Sequence, residues 1–300
     1  MVNRADMRRT VHRFLSAIAF LIALVVVLGA AGCGDRFARS PGEAPSAGNL
    51  AADALAGLEA KGSAHFVGDL SSSLPQGVGA QLSVHAEGDA SATAMDASAS
   101  VGFGGLSLSG RLMVDEHNVF IQFMNQWYGE RQGIRDALGK ARDGKNAQVW
   151  DEIATPEGLR RNFDHLFSGD VTEGPVVDGV ATWKFEGRMN ADGLADFARR
   201  FDSELTDAER AQLDKLAAAS KLVIVVGQED HLPRRVEFGI HLSAADLKAM
   251  QDGSSSTLQG AENFEFTLGL SEFGKPVEIT APSSFKPLDT LFEQLFSGFE

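Results

Sequence analysis

Residues Ser83 to Gly110 read SVHAEGDASATAMDASASVGFGGLSLSG, and most positions in this run are alanine, serine or glycine. Together with its neighbours SAHFVGDL, QLSVHAEGDAS and NVFIQFM, it shows period-2 alternation broken by Gly, Pro and Asp-Glu-His-Asn turns. Short connections between consecutive strands imply an antiparallel meander, since parallel neighbours need long crossovers. One face of such a sheet carries little side-chain volume. Either helices approach it closely, or solvent wets it, or a ligand fills the space that is left.

Working outward, helices interrupt the strands and do not alternate with them. Asn49 is placed to cap a helix with Leu50, Leu55 and Leu58 on one side and Gly62 at its stop. Thr155 caps a second helix with Pro156 at its first position and Leu159, Phe163, Leu166 and Phe167 on one face. Asp178-Gly179 is a hairpin signal, and Thr206 with Glu209 forms a capping box. IRDALGKAR, ADGLADFARRF and a short segment from Ser243 complete the helical set, and QDGSSSTLQG reads as a flexible loop. About eleven strand signals of this kind predict an α+β fold with a curved antiparallel sheet.

Two strands, VFIQFM and LVIVV, are apolar on both faces; Val119, Ile121 and Phe123 point one way and Phe120 and Met124 the other. An antiparallel strand usually has one wet face, so both are expected to be covered on two sides.

The N-terminus carries a basic head (Arg4, Arg8, Arg9, Arg13), an apolar run from Phe14 to Leu28, and small residues leading to Cys33, the sole cysteine. Ala30-Ala31-Gly32-Cys33 meets the steric needs of a bacterial lipobox, with Ala30 where leucine usually stands. A transmembrane anchor over Phe14 to Ala31 and a cleaved, unlipidated signal are the competing readings. Under the lipobox reading, residues 1–32 are a lipoprotein signal peptide, 33–48 a flexible tether, 49–282 the domain and 283–300 a C-terminal amphipathic helix. Each acyl CH2 contributes about 0.8 kcal/mol of membrane affinity, so several chains on Cys33 hold the protein at the outer face of the cell membrane.

Loss of residues 1–32 removes four arginines and one aspartate, leaving 23 basic and 40 acidic residues, a net charge of −17. That surface repels phosphate backbones, so nucleic acid is not an expected partner. With one cysteine there is neither a disulfide framework nor a cysteine metal site.

Chemistry is sparse. The histidines at 65, 85, 117, 165, 231 and 241 form no His-x-x-x-His pair, no G-x-S-x-G elbow occurs, and Gly102 to Gly105 opens no helix that could cradle a phosphate. Neither catalytic residues, nor a metal, nor a cofactor is expected. The basic pairs Arg160-Arg161, Arg199-Arg200 and Arg234-Arg235 read as surface pairing with nearby acids. Beyond Cys33 the mature chain has 18 phenylalanines against one tyrosine, Tyr128, a bias that suits a dry core or an acyl-chain pocket. The last segment places Leu288, Leu291, Phe292, Leu295, Phe296 and Phe299 on one stripe, fit to dock on the domain, cover a pocket mouth or touch a membrane.

The lipobox, GSAHF (Gly62–Phe66), the small-residue meander, VFIQFMNQWY (Val119–Tyr128), DGVATWKFEGRMNADGLADF (Asp178–Phe197), KLVIVVGQEDHLPRRVEF (Lys221–Phe238) and LGLSEFGKPVEITAP (Leu268–Pro282) occur in that order. The pattern resembles the LppX/LprAFG-type lipoproteins of actinobacteria, within the LolA/LolB-like superfamily. The resemblance implies a half-open antiparallel barrel wrapped over helices, with an apolar cavity that receives the acyl chains of a lipid or glycolipid carried in the cell envelope. An envelope transporter is the further partner it implies. The expected pocket wall is Phe120, Phe123, Phe163, Phe167, Phe185, Phe197, Phe201, Leu205 and Leu216. The chain departs from the family by continuing past Pro282 and by a longer stretch between Trp127 and Thr155. A non-catalytic scaffold, with the cavity filled by its own side chains, is the competing function.

Overall fold

The computed structural model describes residues 43–73, 81–115, 117–130, 155–200, 205–243, 246 and 263–291. Two meanders meet side by side in one sheet. The first comprises β1 (Ser63–Ser73), β2 (Gln81–Ser91), β3 (Met95–Phe103), β4 (Leu106–Val114), β5 (Val119–Phe123) and β6 (Gln126–Glu130). The second comprises β7 (Phe167–Glu173), β8 (Thr182–Met189), β9 (Ser220–Gly227), β10 (Pro233–His241) and β11 (Asn263–Ser271). Their seam is β1 against β11, with Phe66 opposite Leu270 and Leu70 opposite Phe266. A two-residue β12 (Lys286–Pro287) adds in parallel to β6, so the order is β12-β6-β5-β4-β3-β2-β1-β11-β10-β9-β8-β7. The result is the expected α+β architecture, a curved and unclosed sheet that is antiparallel apart from its last edge.

Tight turns set the registers. Asp178 and Gly179 (φ 51° and 78°) join Val177 to Val180, and the pairs Gly104-Gly105 and Met124-Asn125 also have φ above zero at both central positions. Their twist matches that of the strands they join.

Among the described residues the sheet is accompanied by α1 (Ala47–Lys61), α2 (Pro156–Leu166), α3 (Ala191–Arg200) and α4 (Asp207–Ala219), and a further helical turn begins at Leu288. The cap of α1 is Ser46 and not Asn49; the Asn49 N–H donates to Ser46 Oγ at 3.2 Å, because the helix starts three residues earlier than the apolar spacing suggests. Gly62 at φ 76° ends it as expected. Thr155 caps α2 by accepting from the Gly158 N–H at 3.0 Å, and the Thr206–Glu209 capping box opens α4. IRDALGKAR, most of the segment after Ser243, the QDGSSSTLQG loop, Cys33 and the stripe beyond Leu291 lie outside the described residues.

The helix α1 lies across the sheet and joins two cores. Its Leu50, Ala51 and Ala54 pack with Phe163, Phe185, Leu222 and Val226, while Leu58 packs with Ala64, Phe66, Leu70, Met95, Phe266 and Leu268. Val236 and Phe238 touch both clusters. At its N-terminus the Gly48 N–H donates to Asp164 Oδ1 at 2.8 Å, and Arg160 Nε donates to Asn49 Oδ1 at 3.2 Å, so α2 is clamped to the positive end of α1 by a carboxylate. Near the other end Gly57 faces the β9–β10 turn so closely that a Cβ would stand 2.7 Å from the His231 carbonyl oxygen.

On the opposite face, β9 buries Val223 and Val225, as the two-sided apolar run predicts. The cover differs from a second layer of secondary structure. Register places Glu186 and Glu237 beside Val223, and Lys184 and Arg235 beside Val225. Lys184 donates to Glu186 at 2.7 Å, Lys221 pairs with Glu186 at 2.9 Å, and Arg235 pairs with Glu237 at 2.5 Å. The aliphatic stems roof the valines while the charged heads stay in water. The hydrogen bonds and charges of Lys184 and Lys221 hold the Glu186 carboxyl down to about 2.

Replacing a mid-helix glycine by alanine ordinarily stabilises by about 0.5–1 kcal/mol. Gly57→Ala is expected to do the reverse, costing about 1–3 kcal/mol through overpacking against the His231 carbonyl, as read by urea denaturation. For Glu186→Gln the sign follows from the lowered carboxyl: its contribution is present above the ordinary value of 4.5 and disappears as pH falls through about 2. The gap in denaturation midpoint between wild type and Glu186→Gln should therefore be full at neutral pH and close steadily over that interval.

Candidate functional site

The alternation in the small-residue meander sorts by face. Serines 83, 98, 100, 107 and 109 lie on the outer face, and Ala86, Gly88, Ala90, Ala97 and Ala99 lie on the face that carries the helices. Near the β2–β3 turn the protein fills this low ground itself: Leu58, Phe66, Met95 and Val114 bury Ala86 and Ala97. Towards the β3–β4 turn Leu82, Val84, Leu112 and Val119 still touch that cluster from its margin, but no described helix lies over the face.

There the same face presents Leu82 and Val84 on β2, Val101 and Phe103 on β3, Leu106, Leu108 and Leu112 on β4, and Val119, Ile121 and Phe123 on β5. The described helices pack on β1 and on β7 to β10, and none packs broadly on β2 to β6. These side chains are accordingly half-buried, and Phe103, Leu106 and Leu108 are 44, 72 and 45% exposed. An apolar sheet face beside a helical layer, with no titratable group projecting from it, can bind by burial and shape and offers no acid, base or nucleophile. The signal for it was present in LSLSG, where leucine and serine alternate, yet those leucines fell outside the expected pocket wall.

The expected wall divides in space. Phe163, Phe167 and Phe185 converge under α1, with ring centroids 4.9 Å apart for Phe163–Phe167 and 5.2 Å for Phe163–Phe185. Phe185 is fully buried, so this trio is packed core at the second meander. Phe123 belongs to the open apolar face of β5, half-buried. Leu205, just before α4, and Leu216, on it, are half-buried, as is Phe197 on α3, whose ring lies 6.0 Å from the Arg200 guanidinium carbon. Phe201 lies outside the described residues.

Phe120 does not join them. It pairs with Met113 and lies on the outer face, opposite Phe123, where it is 2% exposed and meets Phe285 edge-on at 5.2 Å. Gly129 opposite it has no room for a side chain, since a Cβ would stand 2.6 Å from the Phe120 ring. The reason for the correction is parity: Phe120 and Phe123 are an odd number of residues apart on one strand and so face opposite sides of the sheet. Phe285 also explains β12, because closing over Phe120 brings Lys286 and Pro287 against β6.

Histidines that look scattered in sequence are paired by register on the outer face. His65 stands opposite Asp89 with Nδ1 at 2.9 Å from Oδ1, and Asp69 stands opposite His85 at 2.8 Å, the same pair reversed. Glu87 lies 3.5 Å from His65 Nε2, and Glu272 brings its carboxylate within 4.8 Å of the His65 and Asp89 ligand atoms. Glu272 is itself neutralised by Lys275 at 2.8 Å, which lowers its carboxyl. Cross-strand His–Asp contacts and the local Lys275–Glu272 pair give these groups partners within the fold.

No family model matches the chain, and no curated protein does. Among solved structures, LprF from Mycobacterium bovis aligns with 81% of this chain and 100% of its own at 12% identity and a TM-score of 0.39. A DUF1329 family protein from Desulfovibrio piger aligns with 78% of this chain and 94% of its own at 8% identity and a TM-score of 0.22.

Proposed function

We propose that this chain is an envelope lipoprotein, anchored through acylated Cys33 on the outer face of the cell membrane, that binds lipid or glycolipid acyl chains and carries them without catalysing a reaction. The observation that carries this reading is the apolar floor of β2 to β5, which no described helix covers and from which no acid, base or nucleophile projects. On β2 to β4 its residues alternate with outer-face Ser83, Ser100, Ser107 and Ser109, so the floor is greasy while the other side of these strands is polar. The motif order shared with LppX/LprAFG-type proteins and the lipobox-like Ala30-Ala31-Gly32-Cys33 support the same conclusion.

Burial supplies the energetics. At about 0.8 kcal/mol per fully buried CH2, a long chain lying on such a floor recovers part of its cost of leaving a bilayer in proportion to the side it buries, and directional contacts are not needed. The ligand class follows: long, flexible and apolar, with its head group left at the edge.

Native mass spectrometry of protein purified from a bacterial host is expected to show co-purified lipid, and the protein to take up a fluorescent fatty acid. Val84→Trp fills the floor and should weaken that uptake at least tenfold, whereas Ser83→Trp, its neighbour on the outer face, should leave it unchanged. A ligand-free wild type that takes up nothing favours the scaffold reading. For the anchor, the intact mass of detergent-extracted protein should correspond to a chain starting at Cys33 with acyl chains attached. Retention of residues 1–32, or a bare Cys33, sinks the lipobox reading.

A further inference from the structure

Five large apolar side chains stand exposed among the described residues: Phe103, Leu106, Leu108, Met124 and Val176. Four of them share one end of the sheet. Leu82 pairs with Phe103 and Ser72, which puts the β3–β4 turn at the Ser73 end of β1; Gly110 pairs with Phe123, which puts the β5–β6 turn at that same end. Val176, before the Asp178-Gly179 turn, lies at the other.

This end is also free of charge. In a chain with 68 charged side chains, Ala97 to Gly110 and Asn118 to Gly129 contain none, so the outer halves of both hairpins lack Asp, Glu, Lys and Arg on either face. Protein-binding surfaces ring an apolar centre with polar and charged residues, and these two stretches contribute polar but no charged residues to such a ring. Met124, 76% exposed, occupies the first turn position at φ 47°, where glycine or asparagine would sit without strain and without grease. Trp127, half-buried just behind the turn, is the kind of side chain that settles at a headgroup boundary.

We propose that the β3–β4 and β5–β6 hairpin ends form a wedge that enters a lipid bilayer, with Phe103, Leu106, Leu108 and Met124 passing into the acyl region and the serines between them at headgroup level. The occupant is a bilayer and not an anionic surface alone: the chain carries net charge −14, so headgroup attraction is unavailable and insertion rests on apolar transfer. This contact is separate from the Cys33 anchor and does not require that the protein carry lipid. It also turns the apolar floor of β2 to β5, which runs up to the same hairpins, towards the membrane.

The test uses the full anchored chain in phosphatidylcholine vesicles, with an environment-sensitive NBD label on Ser107→Cys or, as a control, on Val176→Cys. The label at 107 is expected to brighten at least twofold on vesicles and to be quenched by brominated acyl chains, and the label at 176 to do neither. Leu106→Asp with Leu108→Asp should return the label at 107 to its aqueous signal, with circular dichroism confirming the fold. A label at 107 that stays aqueous on vesicles overturns the proposal, as does one shielded by added protein but not quenched by bromolipid. Fatty-acid uptake by the labelled protein with Leu106 and Leu108 intact keeps the two proposals distinct, since a label at 107 that stays aqueous on vesicles while uptake persists defeats the wedge alone.

Discussion

The helix Ala47–Lys61 lying across the sheet is the contact on which the rest of the structure depends. The two meanders share only the β1–β11 seam, and a seam of backbone hydrogen bonds fixes neighbours without fixing curvature. Side chains from one helix sit in both cores, with Leu50, Ala51 and Ala54 at one end and Leu58 at the other, so neither half can flatten without exposing apolar area. Burying such side chains is worth roughly 1.5–3 kcal/mol each, more than any surface ion pair here. That is why the start of the helix is so heavily held, by Ser46, by Asp164 and by Asn49 to Arg160.

The same helix decides where cover ends. The described helices lie on β1 and β7 to β10 and leave β2 to β6 to other cover. The second meander is therefore closed by Phe163, Phe167 and Phe185, while the first keeps an apolar face half open. Small residues matter in a different way from the one their abundance suggests. Ala86 and Ala97 are low ground that Phe66 and Leu58 occupy; the open ground lies further along, where Leu, Val and Ile form the floor.

Local features were legible in the sequence, because each is written in neighbouring residues: the Asp178-Gly179 turn, the Thr155 and Thr206 caps, Gly62, and the two-faced alternation of VFIQFM. Even the parity of Phe120 and Phe123 was readable. What alternation cannot say is which side holds the helices, and so Phe120 was assigned to a wall on the wrong side of the sheet. Strand order was hidden for a related reason. The β1–β11 seam joins residues about two hundred apart, and no local signal encodes it. The cover over Val223 and Val225 was equally hidden, since Lys184, Glu186, Arg235 and Glu237 read as ordinary surface charges until register sets them side by side.

Distribution of charge then ties the two functional proposals together. A lipid with two long chains is held in a bilayer by on the order of 20 kcal/mol or more, at about 0.8 kcal/mol per CH2. A carrier that waits in water for such a molecule meets nearly all of that as a barrier. One that touches the bilayer with an uncharged, apolar edge continuous with its binding floor lets each CH2 leave one apolar environment as it enters another, and the barrier falls to whatever segment is in transit. The outer face of the sheet, with its ladders of Lys184–Glu186–Lys221, His65–Asp89 and Arg111–Asp96, is suited to the opposite task of keeping the rest of the chain wet and upright. On this argument the absence of charge from Ala97 to Gly110 is as much a functional feature as any side chain that is present.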